Sequence, residues 1–131
     1  MNQERPTVLV VDDDHDFAMA VNELVEGRGC RPISAGNGSE ALSVLQAERP
    51  TLMLVDLFMP VMNGAEFLKV VKQSPALAGI PRILMTATND PTISIREDVT
   101  VLYKPLDVDL LNGLLDRYCE PAGARRTPVQ R

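Results

Sequence analysis

Asp56 closes an apolar run, Leu52-Met53-Leu54-Val55, and Met59-Pro60 follows shortly after it. A carboxylate thus stands at the mouth of a buried strand instead of inside it. Asp12 and Asp13 close a second apolar run, Thr7-Val8-Leu9-Val10-Val11. Thr86 ends a third, Arg82-Ile83-Leu84-Met85, and Lys104 a fourth, Val99-Thr100-Val101-Leu102-Tyr103. Taken singly, Asp56 reads as a turn former or helix cap. Lys104 alone is a surface ammonium, and Thr86 alone a strand-end residue. Gathered on one rim they do more. The carboxylates of Asp12, Asp13 and Asp56 would repel one another and raise their own pKa values. A divalent cation removes that repulsion, and an all-oxygen ligand set favours Mg²⁺ or Mn²⁺. Such a cation with a hydroxyl and an ammonium opposite suits a phosphoryl group. Thr86 would donate a hydrogen bond to it and Lys104 would neutralise one of its oxygens. Asp56 is then the nucleophile and becomes an aspartyl phosphate. His15 is expected at the solvated start of a helix, outside this chemistry. Asp14 and Asp16 read as charges at the positive end of that helix.

The elements that would carry these residues alternate. After the first strand a helix presents Phe17, Val21, Leu24 and Val25 on one face and ends at Gly27 and Gly29. Cys30 to Ala35 is a weaker strand, and Pro32 puts it at a sheet edge. Ser39 is expected to cap a second helix with Ala41, Leu42 and Leu45 inward. Asn63-Gly64-Ala65-Glu66 has the form of a capping box for a third, with Phe67, Leu68 and Val71 buried. Thr88-Asn89-Asp90-Pro91 would cap a short fourth helix, in which Thr92, Ile93 and Ile95 are mediocre formers. Asp107 caps a last helix bearing Leu111, Leu114, Leu115 and Tyr118. This alternation predicts an α/β fold, a parallel sheet with helices on both faces, whose ligand site lies at the carboxyl ends of the strands.

The 131 residues suffice for one domain. With 45% apolar and 24% charged residues, global disorder is excluded. The net charge of −5 argues against broad nucleic-acid binding, although Arg125, Arg126 and Arg131 make the end locally basic. Met1-Asn2-Gln3-Glu4-Arg5 does not open a secretory signal, and a cytoplasmic protein without membrane insertion is expected. In a reducing compartment Cys30 and Cys119 read as packing residues rather than a disulfide.

The set Val10-Val11-Asp12-Asp13, Asp56 with Met59-Pro60 and Met62-Asn63-Gly64, Thr86-Ala87 and Lys104-Pro105 resembles the receiver domain of the two-component response-regulator family, chemotaxis-type single-domain regulators included. The likeness covers residues 6–120, with 121–131 left as a flexible tail. It implies a flavodoxin-like (βα)5 sandwich with sheet order 2-1-3-4-5. It implies that Asp56 takes a phosphoryl group from the phosphohistidine of a sensor histidine kinase or phosphotransfer protein. Mg²⁺ would be held by Asp13, Asp56 and the carbonyl of Phe58, with Asp12 acting mostly through water. Lys104-Pro105 resembles the family's cis-peptide site. The resemblance implies a phosphorelay switch that acts on a downstream protein effector, and the charge balance leads to the expectation of no direct DNA binding. At most it catalyses its own phosphorylation and dephosphorylation.

Three positions depart from the family or stand out. Val101 occupies the place of the usual aromatic switch residue, so a weakened or rerouted switch is expected. Tyr103 shares its strand parity and is the candidate replacement. The stretch from Thr86 to Lys104 is short by roughly one helical turn, which predicts an irregular fourth helix and an atypical partner surface. Phe58, two residues after Asp56, either shields the acyl phosphate from water or merely covers the rim. The altered switch keeps one alternative open, a receiver-like interaction module that is not phosphorylated, and the full set of Asp12, Asp13, Asp56, Thr86 and Lys104 argues against it. A turnover phosphatase would carry a second Asp where Phe58 stands. A nucleotide carrier would need a Gly-rich cradle after the first strand, where acids stand.

Overall fold

The computed structural model describes residues 5–87 and 100–119. Its strands are β1 (Thr7–Val11), β2 (Arg31–Ala35), β3 (Leu52–Asp56), β4 (Arg82–Thr86) and β5 (Thr100–Tyr103). They form one parallel sheet in the order β2-β1-β3-β4-β5. Among the described residues, four helices accompany it: α1 (His15–Gly27), α2 (Gly38–Val44), α3 (Gly64–Gln73) and α4 (Val108–Cys119). This is the flavodoxin-like sandwich that the alternation and the resemblance predict. Pro32 sits on edge strand β2, paired with Val8. The fourth helix expected between β4 and β5, and the tail from residue 121, lie outside the described residues.

Strand alternation divides the core in two. Val8, Val10, Leu52 and Leu54 point to one side, against Val21, Val25, Leu111 and Leu115 of α1 and α4. Leu9, Val11, Met53 and Val55 point to the other, against Ala41 of α2 and Phe67 and Val71 of α3. Every residue of β3 is buried, as a central strand covered on both faces must be. Each such aliphatic side chain contributes roughly 1.5–3 kcal/mol by leaving water. The sheet therefore makes a rigid platform whose carboxyl ends cannot shift independently.

Local chemistry sets the helix starts. The Asp14 side chain accepts from Phe17 N–H at the head of α1. Asn63 and Glu66 close a reciprocal capping box on α3, as their spacing predicts. Asp107 accepts from Leu110 N–H ahead of α4. One cap differs from expectation. Asn37, not Ser39, caps α2: its side chain accepts from Glu40 N–H, while Glu40 reaches back to Gly36 N–H. The extended backbone of Asn37 puts its amide oxygen over the helix start, and Ser39 is already inside the helix.

The two cysteines also depart from the reading as separate packing residues. Cys30 and Cys119 are joined in a disulfide, with their Cα atoms 5.0 Å apart. Both are fully buried. The end of α4 packs where the chain enters β2, and Gly29, at φ +98, makes room there for the Cys119 carbonyl.

Candidate functional site

Each strand of the inner sheet delivers its polar residue at the carboxyl rim. Asp12 follows β1 directly, and its N–H still donates to the Ala35 carbonyl of β2 at 3.0 Å. Asp56 is the last residue of β3, and the N–H of Leu57 after it donates to Met85 of β4 at 2.8 Å. Thr86 ends β4, and its carbonyl accepts from Lys104 N–H at 2.8 Å. The ladder thus continues one residue past the strands and fixes the backbone beneath the site. Asp12, Asp56 and Thr86 are the buried polar residues of the described chain.

The side chains of Lys104, Asp12 and Asp56 meet at this rim. Lys104 Nζ lies 2.9 Å from Asp12 Oδ2 and 2.9 Å from Asp56 Oδ1. Asp12, Asp13 and Asp56 each bring a carboxylate oxygen within 4.8 Å of the others. Thr86 is buried next to Lys104 along the backbone. The Lys104–Pro105 peptide is cis. His15 is the first, exposed residue of α1, away from this cluster as expected. Phe58 stands 59% exposed above the rim. Tyr103 points to the opposite side of β5 from buried Leu102, the side that Val101 also faces, and is 52% exposed.

Electrostatics explains the geometry. Burial pushes the Asp56 carboxyl above its ordinary pKa; the Lys104 hydrogen bond offsets part of this, and the charges of Asp12 and Asp13 add to the rise. Burial works to lower the Lys104 pKa, but the bonds and charges of Asp56 and Asp12 outweigh it and hold it above the usual lysine value. Among the described residues, a single ammonium thus faces an excess of carboxylates. The donor set is all oxygen and short of positive charge, and it fits a hard divalent cation.

Two features of the site carried no recognisable signal in the sequence. Phe17, read there as one of the apolar residues of α1, brings its ring centroid to 4.2 Å from Lys104 Nζ. Val61 adopts φ 67 in a three-residue turn in which Met62 N–H donates to the Pro60 carbonyl at 2.7 Å. A β-branched residue is strained there. Its side chain is almost fully exposed, so it gains no burial in return. Val61→Asn is expected to raise stability by about 1 kcal/mol, because Asn tolerates the left-handed region. Urea denaturation checks this, and an unchanged or lower midpoint would contradict the strain.

A family model described as the response regulator receiver domain matches residues 8–113. The chain is 37% identical over 90 residues to the DNA-binding response regulator MtrA of Mycolicibacterium smegmatis, spanning 38% of that protein's length and 69% of its own. It is 33% identical over 116 residues to sporulation initiation phosphotransferase F of Bacillus subtilis, covering 85% of this chain and 91% of that one. Among solved structures, the signal receiver domain of a signal transduction histidine kinase from Syntrophus aciditrophicus superposes with a TM-score of 0.79 at 29% identity. That match covers 93% of this chain and 94% of the other. Chemotaxis response regulator CheY4 of Vibrio cholerae superposes with a TM-score of 0.76 at 28% identity, over 87% of this chain and 98% of that one. Among the described residues, no helix is long and apolar enough to cross a membrane.

Proposed function

This chain belongs to the response regulator receiver domain family, and from that premise we propose that Asp56 is its phosphoacceptor in a two-component phosphorelay. The donor is the phosphohistidine of a sensor kinase or phosphotransfer protein. A carboxylate oxygen of Asp56 attacks the phosphorus. The phosphorus–nitrogen bond breaks, and the imidazole leaves with the electron pair and is protonated from solvent. Lys104 turns its ammonium to an oxygen of the incoming group, and Thr86 donates its hydroxyl to another. Asp12, Asp13 and Asp56, with the Phe58 carbonyl, would hold Mg²⁺, which supplies positive charge for the remaining phosphoryl oxygens. Phosphorylation then changes which protein effector the surface binds. Residues 6–120 are the unit that does this.

One observation carries the reading: a single ammonium bridges two buried carboxylates, at 2.9 Å from each, on the rim where three acids converge. Among the described residues this cluster leaves acids in excess of the ammonium, which suits a site for a cation and an anionic ligand. The test is incubation with acetyl phosphate and Mg²⁺ followed by intact mass. The wild type should gain one phosphoryl group, and both Asp56→Asn and a chelated sample should gain none. An adduct that persists in Asp56→Asn, or a wild type left unmodified, refutes the proposal.

A further inference from the structure

Lys104 has a partner that is not an acid. The Phe17 ring covers one side of its ammonium, at 4.2 Å from ring centroid to Nζ. The ring is tied to the same acids through the backbone. Phe17 N–H donates to Asp14 Oδ1 at 3.1 Å, and Asp14 N–H donates to Asp12 Oδ1 at 2.9 Å. The other oxygen of Asp12 takes Lys104 Nζ. Phe17, Asp14, Asp12 and Lys104 therefore close a circuit, in which the cap that starts α1 also aims the ring at the ammonium.

We propose that Phe17 is a positioning residue for Lys104, holding the ammonium toward Asp56 through the face of its ring. This rests on the phosphoacceptor reading above. A cation entering the acid cluster draws on the charge of Asp12 and Asp56 and also repels Lys104. Both weaken the grip of the acids on the ammonium as the site fills. The ring carries no formal charge and offers no oxygen to the cation. Its attraction for Lys104 survives cation binding, and in a half-buried setting a ring face is an effective cation partner. Phe17 also packs on the core beneath α1, so the ring is held in place from below.

The test compares Phe17→Leu, which keeps apolar bulk without a ring, with Phe17→Tyr, which keeps the face. Two readouts are taken. The first is the ring-current shift of the Lys104 side-chain protons by NMR in metal-free protein. The second is the rate of Asp56 phosphorylation from acetyl phosphate at saturating Mg²⁺. Phe17→Leu is expected to abolish the shift and slow phosphorylation about fivefold. Phe17→Tyr is expected to preserve both. If the leucine variant melts early, Phe17→Met repeats the comparison. A leucine or methionine variant as fast as wild type, a tyrosine variant as slow as leucine, or no ring shift in the wild type overturns the role of the ring. In each of these cases phosphorylation of the wild type still stands. A wild type that takes no phosphoryl group brings down the phosphoacceptor reading itself, and this role with it.

Discussion

Lys104→Met is expected to lower the melting temperature of the metal-free protein at neutral pH by about 10 °C, from a loss of roughly 3 kcal/mol. The side chain of Asp12 is fully buried and that of Asp56 nearly so, and both bond to this one ammonium. Removing it leaves like charges together in a poorly solvated place. The cost sits at the low end for a broken buried pair because Asp13 opens the cluster to water. Three treatments should restore most of the loss. Millimolar Mg²⁺ supplies the missing charge. Asp56→Asn in the same background removes one of the acids. Acid does the same by protonation, and the sign follows from linkage. Asp56 has a folded-state pKa above its ordinary value already in the wild type. The folded state therefore binds the proton more tightly than the unfolded chain. The stability this confers is fully present below the ordinary carboxylate pKa and is lost as pH rises through the raised one. Without Lys104 the rise is larger, so the variant should regain stability as the pH falls through that window. A variant that melts like wild type across all these conditions would mean that the ammonium does not hold the acids together.

Gly64→Ala is the second large effect. A Cβ at Gly64 would run into the Asp56 carbonyl oxygen, and would stand 2.9 Å from Leu57 Cα and 3.1 Å from the Asp56 carbonyl carbon. These are backbone atoms at the end of the central strand and cannot swing aside like a side-chain tip. Gly64 N–H also donates to the Leu57 carbonyl at 2.8 Å, so the turn is bound where it would have to move. Overpacking against a fixed backbone is expected to cost about 3 kcal/mol. Whatever shift relieves the clash moves Asp56 itself. The variant should thus lose phosphorylation by acetyl phosphate even at temperatures where it remains folded. Retention of a normal rate in a folded Gly64→Ala protein would show that the loop absorbs the methyl without disturbing the strand.

How much of this the sequence carries depends on whether the signal is local. Asp12, Asp56, Thr86 and Lys104 were legible because each interrupts an apolar run, and the end of a strand is itself readable. The capping box of α3 is a short-range pattern and was equally plain. Sheet order needs more than periodicity; Pro32 marked one edge, and the family resemblance supplied the rest. Asn37 and Ser39 are both good cap chemistry, and only the backbone angle at Asn37 decides between them. Phe17 satisfies the apolar spacing of α1, so its spacing identifies it as core, and its contact with Lys104 depends on how a distant strand ends. The nearness of Cys30 to Cys119 likewise follows from the docking of α4, not from anything beside either residue. Whether the segment joining β4 to β5 is shortened lies outside the described residues.

The bond between Cys30 and Cys119 has a topological result. It turns the polypeptide between them into a covalent ring, closed across a separation of 89 positions. Asp56, Thr86 and Lys104 belong to that ring, while Asp12 and Asp13 lie outside it; β1 and α1 hang from it as one arm. A single proteolytic nick inside the ring leaves one molecule, heavier by one water, and two pieces separate only after reduction. Tension applied to the two ends of the chain likewise cannot draw out the covalent segment that carries β3 and β4 while the bridge is intact.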